Sequence, residues 1–487
     1  MKDHRIMALC PATYRLTMRA IHETLTNHMA SRWEVDRYGV RGKQSLEIVF
    51  CIKMIQLQST AWGFPAYCTK IDVAKAFDSI RLPMLLGAFH KYDIPVWIRH
   101  MVCKVLTGIE TPASIGNGVD LKAHASGRGI PQGTPESGLR CESVMDAVLS
   151  SLLPTWRERG SGLRFPHSIV DDTRVPDIYL MTIMDDVYVC SHSLDDLSRM
   201  TREVCRELTS CDLEVHTSDP SKSCWICLSH CVLSDKMLNL GPVWSTESVN
   251  TPPAPAKGMS TLGTAITWGG GHDDDVLLRL ASMWRTHHAT SLVATHSCLG
   301  LKRRIEVSQS CMLAAVTYST QTWCLTRSIL RKLNFAYIDS LRRCIGTVKT
   351  RGDTPYYQLR TETYRIARAK LHRFEKEDAA ERTLRLHWRW MGHVARLGSD
   401  HLAYHLLRWR CTSWDSAHKH NNSKPRRPRT GTPQRTEHHV SQFCQVQHMA
   451  DWMREAQDRL SWYQMEQKFV ARFHPGVGGS QEALTYR

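Results

Sequence analysis

The sequence predicts an α+β protein: a small antiparallel sheet of split βαβ type with helices on one side, followed by a helical region. Three observations carry this. Two apolar runs, "AYCTKIDVAKAFDS" at 66–79 and "TIMDDVYV" at 182–189, read as strands that end at acids. Segments with helical spacing of apolar residues lie between and after them. From about residue 276 the strand signals give way to basic helical stretches such as "VLLRLASMWRTHHATSLVA" and "ILRKLNFAYIDSLRRCIG".

Taken in order, Leu46, Val49, Ile52 and Ile55 recur at helical spacing, so 45–58 is a helix. A strand follows and ends near Asp72. Pro83 opens the next helix, through "LPMLLGAFHKY", and "VWIRHMVCKVL" is another. Residues 126–138, "SGRGIPQGTPESG", hold four glycines and two prolines and read as a loop. A helix follows in "CESVMDAVLSSLL". Tyr179–Met184 and Val187–Ser191 form a hairpin that turns at the two aspartates. Ser193 caps a helix that carries Leu197, Met200, Val204 and Leu208 on one face. The turn "SDPSK" leads to a last strand, "SCWICL". Cys224, Cys227 and Cys231 have zinc-like spacing, but they fall where this strand is expected and read as buried thiols. "HDDD" at 272–275 is the acidic start of a helix. Residues 419–437 are cationic and proline-rich and read as a linker, with a helical tail behind them.

Bulk properties narrow the function. A chain of 487 residues suggests several lobes. Its net charge of +16 and pI near 9.2 favour a polyanionic partner. The 17 cysteines follow no tight framework, which fits reduced thiols. No signal peptide and no apolar run long enough to span a membrane is visible, so the expected location is intracellular, in nucleus or cytoplasm.

The adjacent acids Asp185 and Asp186 pose the chemical question, because acids are depleted in strands. If folding brings Asp72 beside them, three carboxylates converge at one sheet edge and repel one another unless cations neutralise them. Two divalent ions about 3.5–4 Å apart are the usual clamp for in-line phosphoryl transfer, and hard oxygen ligands favour Mg²⁺. From the acids taken by themselves, a solvated turn plus an unrelated capping acid stays open.

In order along the chain, "DVAKAFDS", "GIPQGTPESG", "IMDD" and "SDPSKS" resemble the motifs of reverse transcriptases, in particular those of non-LTR (LINE-type) retrotransposons. "RYGVRGKQSLEIVFCI" resembles the fingers segment of that family, "STLGTAIT" its Leu-Gly strand near the primer, and "RWMGHVARL" a phrase near the end of such proteins. The likeness covers roughly residues 10–400. It implies a right-hand polymerase. Partial fingers would fill 1–65, a palm with inserted fingers elements 66–270, and a helical thumb 271–400; a basic linker would cover 401–440 and a helical tail 441–487.

The resemblance also implies roles. Asp72, Asp185 and Asp186, with the carbonyl of Val73, would hold two Mg²⁺ ions, for which Mn²⁺ is a possible substitute. Phe77 would be a steric gate under the incoming sugar, selecting deoxynucleotides. Gln132 and Gly133 would touch the nascent base pair, Lys222 would protonate the leaving pyrophosphate, and Arg41 would help hold the triphosphate. Asp78 reads as a helix cap. The partners implied are an RNA template, a DNA primer or target and deoxynucleoside triphosphates, with no membrane and an oligomeric state left open. The activity would be RNA-directed DNA polymerisation from a truncated non-LTR element that extends a primer but does not nick duplex DNA. The alternative is a catalytically decayed remnant that binds nucleic acid. Three departures from the family pattern bear on this choice: Ile183 and Met184 stand where an aromatic and Ala are usual, Gly138 stands where Pro is common, and Glu136 is unusual.

Overall fold

The computed structural model describes residues 12–29, 32–33, 36–38, 43–107, 110–115, 118–125, 129–130, 134, 136–166, 174–216, 219, 222–229, 258–267, 271–296, 298–346, 356–409, 436–449 and 451–476. These fall into two compact units. The first draws on Met1–Ile48, Trp62–Ser168 and Arg174–Met259, the second on Val49–Ala61 and Ser260–Arg487.

The strands of the first unit are β1 (Asp36–Arg37), β2 (Tyr67–Asp72), β3 (Glu110–Ile115), β4 (Gly118–Ala125), β5 (Leu180–Ile183), β6 (Asp186–Ser191) and β7 (Cys224–Cys227). Five of them form one sheet in the order β1-β5-β6-β2-β7, and β3 and β4 pair separately. All neighbours in the main sheet are antiparallel except β1 with β5. Helices α1 (Ala12–Met29), α3 (Ala76–Ser79), α4 (Leu82–Lys91), α5 (Val96–Thr107), α6 (Ser137–Leu149), α7 (Leu153–Arg159) and α8 (Leu194–Ser210) belong to the same unit, while α2 (Ser45–Trp62) gives Val49–Ala61 to the second.

Strand periodicity sorts the sheet into two faces. Tyr67, Ile71, Val187, Val189 and Trp225 join the core with Val144, Met145 and Leu149 of α6 and with Leu197, Met200, Val204 and Leu208 of α8. Thr201 of α8 donates to Thr69 of β2 at 3.3 Å on that face. The opposite face carries Cys68, Lys70 and Asp72, registered against Cys190, Tyr188 and Asp186. The expected Ser193 cap of α8 is present, its hydroxyl accepting from the Asp196 amide at 3.4 Å.

Three local expectations change. The hairpin turn consists of Met184 and Asp185, because Asp186 already pairs within β6. The helix expected from Cys141 starts earlier, at Ser137. Asp78 lies inside α3, and the residue at the N-cap of α4 is Arg81, without a side-chain cap. The β3–β4 hairpin had no clear sequence signal. Cys224 and Cys227 are buried in β7 as read, while Cys231 lies outside the described residues.

The segment "STLGTAIT" lies in a hairpin, β8 (Gly258–Thr261) and β9 (Thr264–Thr267), rather than in the single strand expected. Leu262 and Gly263 form its two-residue turn with φ of +49° and +73°, the backbone of a type I′ turn. The helix Asp273–Ala294 follows, started by the acids of "HDDD". Asp275 does more there than complement the helix dipole: it accepts from Lys53 Nζ at 2.7 Å and from the Ala265 amide at 3.1 Å. Further helices span Arg327–Cys344, Tyr356–Arg373 and Ala379–Ala395. No helix among the described residues is long and apolar enough to cross a membrane.

The helical tail packs back on this unit. Trp462 of the helix Arg459–Phe473 stacks on Trp388 with ring centroids 3.8 Å apart. Each indole N–H donates to the other residue's carbonyl, at 2.9 and 3.1 Å. Gly392 of "RWMGHVARL" makes this possible, since a Cβ there would lie 2.7 Å from Trp462 Cδ1 and closer still to Nε1. Gly392→Ala is therefore expected to destabilise this unit by about 1–3 kcal/mol, the cost of overpacking a close contact. Thermal unfolding followed by tryptophan fluorescence measures it; an unchanged midpoint would refute the contact.

Candidate active site

The three aspartates come together at one sheet end. Asp72, last in β2, is registered directly against Asp186, first in β6. The amide of Val73 donates to the Asp185 carbonyl at 3.0 Å, which fixes the turn against the strand. Asp72 is anchored by its own backbone as well: its amide donates to Ser223 Oγ at 3.0 Å, and its carbonyl accepts from the His216 amide at 3.0 Å.

Basic side chains surround these acids. Lys70 Nζ lies 3.2 Å from Asp186 Oδ1, and Lys222 Nζ and His216 Nε2 each lie 3.6 Å from Asp72 Oδ2. Tyr188 donates to Asp186 Oδ2 at 3.2 Å. Burial pushes the Asp186 carboxyl above its ordinary range; the Lys70 ammonium opposes this, and the negative charges of Asp185 and Asp72 add to it. The three carboxylates thus feel one another.

That repulsion is the test of fit for a metal. Three hard carboxylate donors at one edge suit a divalent cation, which offsets the mutual repulsion of Asp72, Asp185 and Asp186. In the arrangement described, Asp186 turns to Lys70 while Asp72 turns to Lys222 and His216. Among the described residues no three His, Cys, Asp or Glu side chains are drawn into a ready ligand cluster. The donor chemistry fits, and the ammonium of Lys70 holds part of the positive charge.

Phe77 is half-buried against the core. Its carbonyl accepts from the Ile130 amide at 2.6 Å, and Gly129 donates to Ile80 at 2.9 Å, so the start of the glutamine loop lies on the backbone of α3. Gly129 has φ of +97°, and a Cβ there would sit 3.1 Å from Asp78 Cα, so this approach requires glycine. Gln132, Gly133 and Arg41 lie outside the described residues.

A buried charged network sits behind the acid turn. Glu142 Oε1 accepts from the Met184 amide at 2.7 Å, and Glu142 Oε2 meets Arg37 Nη1 at 2.7 Å. Arg37 also binds Asp146 at 2.8 Å, and Tyr92 donates to Asp146. Arg37, Glu142 and Asp146 are all buried. Burial pushes the Glu142 carboxyl up, opposed by Arg37 and the Met184 N–H. The unusual Glu136 also has partners: Tyr14 donates to it at 2.9 Å and Arg140 lies 3.6 Å away.

Sequence reasoning missed Lys70, His216, Arg37 and Glu142. A signal existed for Lys70, two residues before Asp72 and therefore on the same strand face. None existed for Glu142, whose partner is a backbone amide of a remote turn.

A family model described as reverse transcriptase (RNA-dependent DNA polymerase) matches residues 1–263. No curated protein matches the chain. Among solved structures, apo telomerase from Candida tropicalis is similar at 12% identity, over 80% of this chain and 61% of that one, with a TM-score of 0.37. A Candida tropicalis telomerase truncated from its C-terminal domain is 13% identical over 52% of this chain and 44% of that one, with a TM-score of 0.34. Candida albicans telomerase in complex with a TWJ fragment of telomeric RNA is 8% identical over 80% and 58%, with a TM-score of 0.30. This chain spans between 44% and 61% of the length of these three. With the family model covering more than half of its residues, the chain belongs to the reverse transcriptase (RNA-dependent DNA polymerase) family, and its fold is the α+β right-hand polymerase.

Proposed function

We propose that the chain is an RNA-directed DNA polymerase of the non-LTR retrotransposon type, extending a DNA primer 3′-hydroxyl on an RNA template. The observation that carries this is the meeting of Asp72, Asp185 and Asp186 where β2 pairs with β6. Asp72, Asp185 and Asp186, with the Val73 carbonyl, would hold Mg²⁺ or Mn²⁺. When bound, the ions supply the charge that favours the attacking 3′-oxyanion and neutralises the triphosphate. The protein's own groups do the rest. Lys222, beside Asp72 and exposed, is the cation able to pass a proton to the leaving pyrophosphate. The roles of Gln132, Gly133 and Arg41 rest on the motif resemblance. The basic helical stretches after residue 276 would bind phosphates of template and primer with salt-dependent affinity.

Phe77 acts as the sugar gate in this reading. Phe77→Val is expected to raise ribonucleotide use relative to deoxynucleotide use by roughly tenfold or more, since rejection by steric overlap relaxes when the ring is removed. Competing rNTP and dNTP incorporation measures the ratio; an unmoved ratio makes Phe77 a packing residue.

One observation favours the second reading, a remnant that binds nucleic acid without polymerising: Lys70 occupies one oxygen of Asp186. Primer extension on poly(rA)/oligo(dT) with Mg²⁺ or Mn²⁺ separates the two. Extension supports the polymerase; duplex binding without extension supports the remnant.

A further inference from the structure

We propose that Glu142 is a positioning residue for the acid doublet, acting on the backbone of the turn that presents it. The inference rests on the polymerase reading and adds to it a residue that touches neither nucleotide nor metal.

The turn needs a holder. Met184 has φ of +55°, and Asp185 is not among the residues with positive φ. Those are the signs of a type II′ hairpin, whose first central position ordinarily takes glycine. A non-glycine residue in the left-handed region costs on the order of 1–3 kcal/mol and persists only where its surroundings over-determine it. Here the Met184 N–H donates to Glu142 Oε1 at 2.7 Å. A carboxylate acceptor makes this a charge-assisted bond. Glu142 itself has no exposed surface, and Arg37 fixes its other oxygen at 2.7 Å. On the far side of the turn the Asp185 carbonyl is pinned by the Val73 amide at 3.0 Å. The peptide units before and after the two central residues are therefore both held, one by Glu142 of α6 and one by Val73, the residue that follows β2, and the direction of Asp185 and Asp186 follows.

Two departures from the family pattern meet at the same place. A Cβ at Gly138 would lie 2.9 Å from Met184 Cε, so the methionine side chain rests on the glycine one helical turn before Glu142. With Gly138 making room for the end of the side chain and Glu142 binding the amide, α6 meets Met184 at two points.

The test compares Glu142→Ala, Glu142→Gln and Asp146→Asn in the full chain. Asp146→Asn perturbs the same Arg37 network without touching the turn. Three readouts are taken: hydrogen exchange of the Met184 amide, Mn²⁺ binding by electron paramagnetic resonance, and kcat and KM for dNTP. Glu142→Ala is expected to speed exchange at Met184, and to weaken Mn²⁺ binding and lower kcat by about 10–100-fold, as for groups that orient ligands from behind. KM is expected to stay within about threefold, as for a loss made in positioning rather than in substrate binding. Glu142→Gln, which keeps an acceptor oxygen, is expected to recover most of both losses. Asp146→Asn is expected to lower stability and leave Mn²⁺ binding and Met184 exchange unchanged. A Met184 amide that exchanges freely in the unmutated protein overturns the proposal. So does an Asp146→Asn effect on Mn²⁺ binding equal to that of Glu142→Ala. An unmutated chain that shows a protected Met184 amide but extends no primer overturns the polymerase reading instead.

Discussion

Asp185→Asn is expected to lower primer extension at least about a thousandfold, or ~4 kcal/mol in the barrier. The substitution keeps size and hydrogen-bonding shape and removes one negative charge from the group of three. Its structural cost is small, because Asp185 is half-buried and contributes its backbone carbonyl, not its carboxylate, to the bond with Val73. Binding of an RNA–DNA duplex should stay within about threefold, since affinity for the polyanion comes from basic groups elsewhere. Extension assays, filter binding and thermal unfolding on one preparation test this. Extension at the unmutated rate would remove Asp185 from the reaction. Equal loss of stability and activity would mean the turn, not the charge, had been damaged.

Arg37→Met is expected to cost about 3–5 kcal/mol in the first unit, the usual price of leaving buried carboxylates without their cation. Arg37, Glu142 and Asp146 are buried together, and the guanidinium satisfies both acids while stacking 4.6 Å over Trp33. Methionine keeps much of the apolar stem and strands two negative charges. Adding Glu142→Gln and Asp146→Asn should return a large part of the loss, since a neutral network has no uncompensated charge. Chemical denaturation of the single and triple variants gives the comparison. A single variant as stable as the unmutated protein would show that the network contributes nothing.

Much of the palm-like sheet was legible before any coordinates. Apolar runs bounded by acids and turn residues located β2, β5, β6 and β7, and Leu197, Met200, Val204 and Leu208 located the buried face of α8. These signals are local, since each depends only on which side of an element faces the core. β1 and the β3–β4 hairpin were not legible. β1 has two residues, too few for a period. The Leu262-Gly263 turn was hidden by its leucine, which occupies a left-handed backbone that sequence rules reserve for glycine or asparagine.

By itself the sequence determined the family and the residue types on offer: two adjacent acids and a third at strand ends, a net positive charge, and ordered motifs of one polymerase family. Tertiary structure decided which groups meet those acids. Lys70 belongs to Asp186 only because β2 and β6 pair in one register, and a shift of one residue would turn its side chain to the other face. Glu142 reaches Met184 only because α6 lies behind the hairpin, and Gly392 matters only because Trp462 lies across it. Periodicity states which face of an element is buried. It does not state what that face is buried against, because such contacts join segments far apart in the chain and are selected by packing and by charge neutralisation in the assembled core.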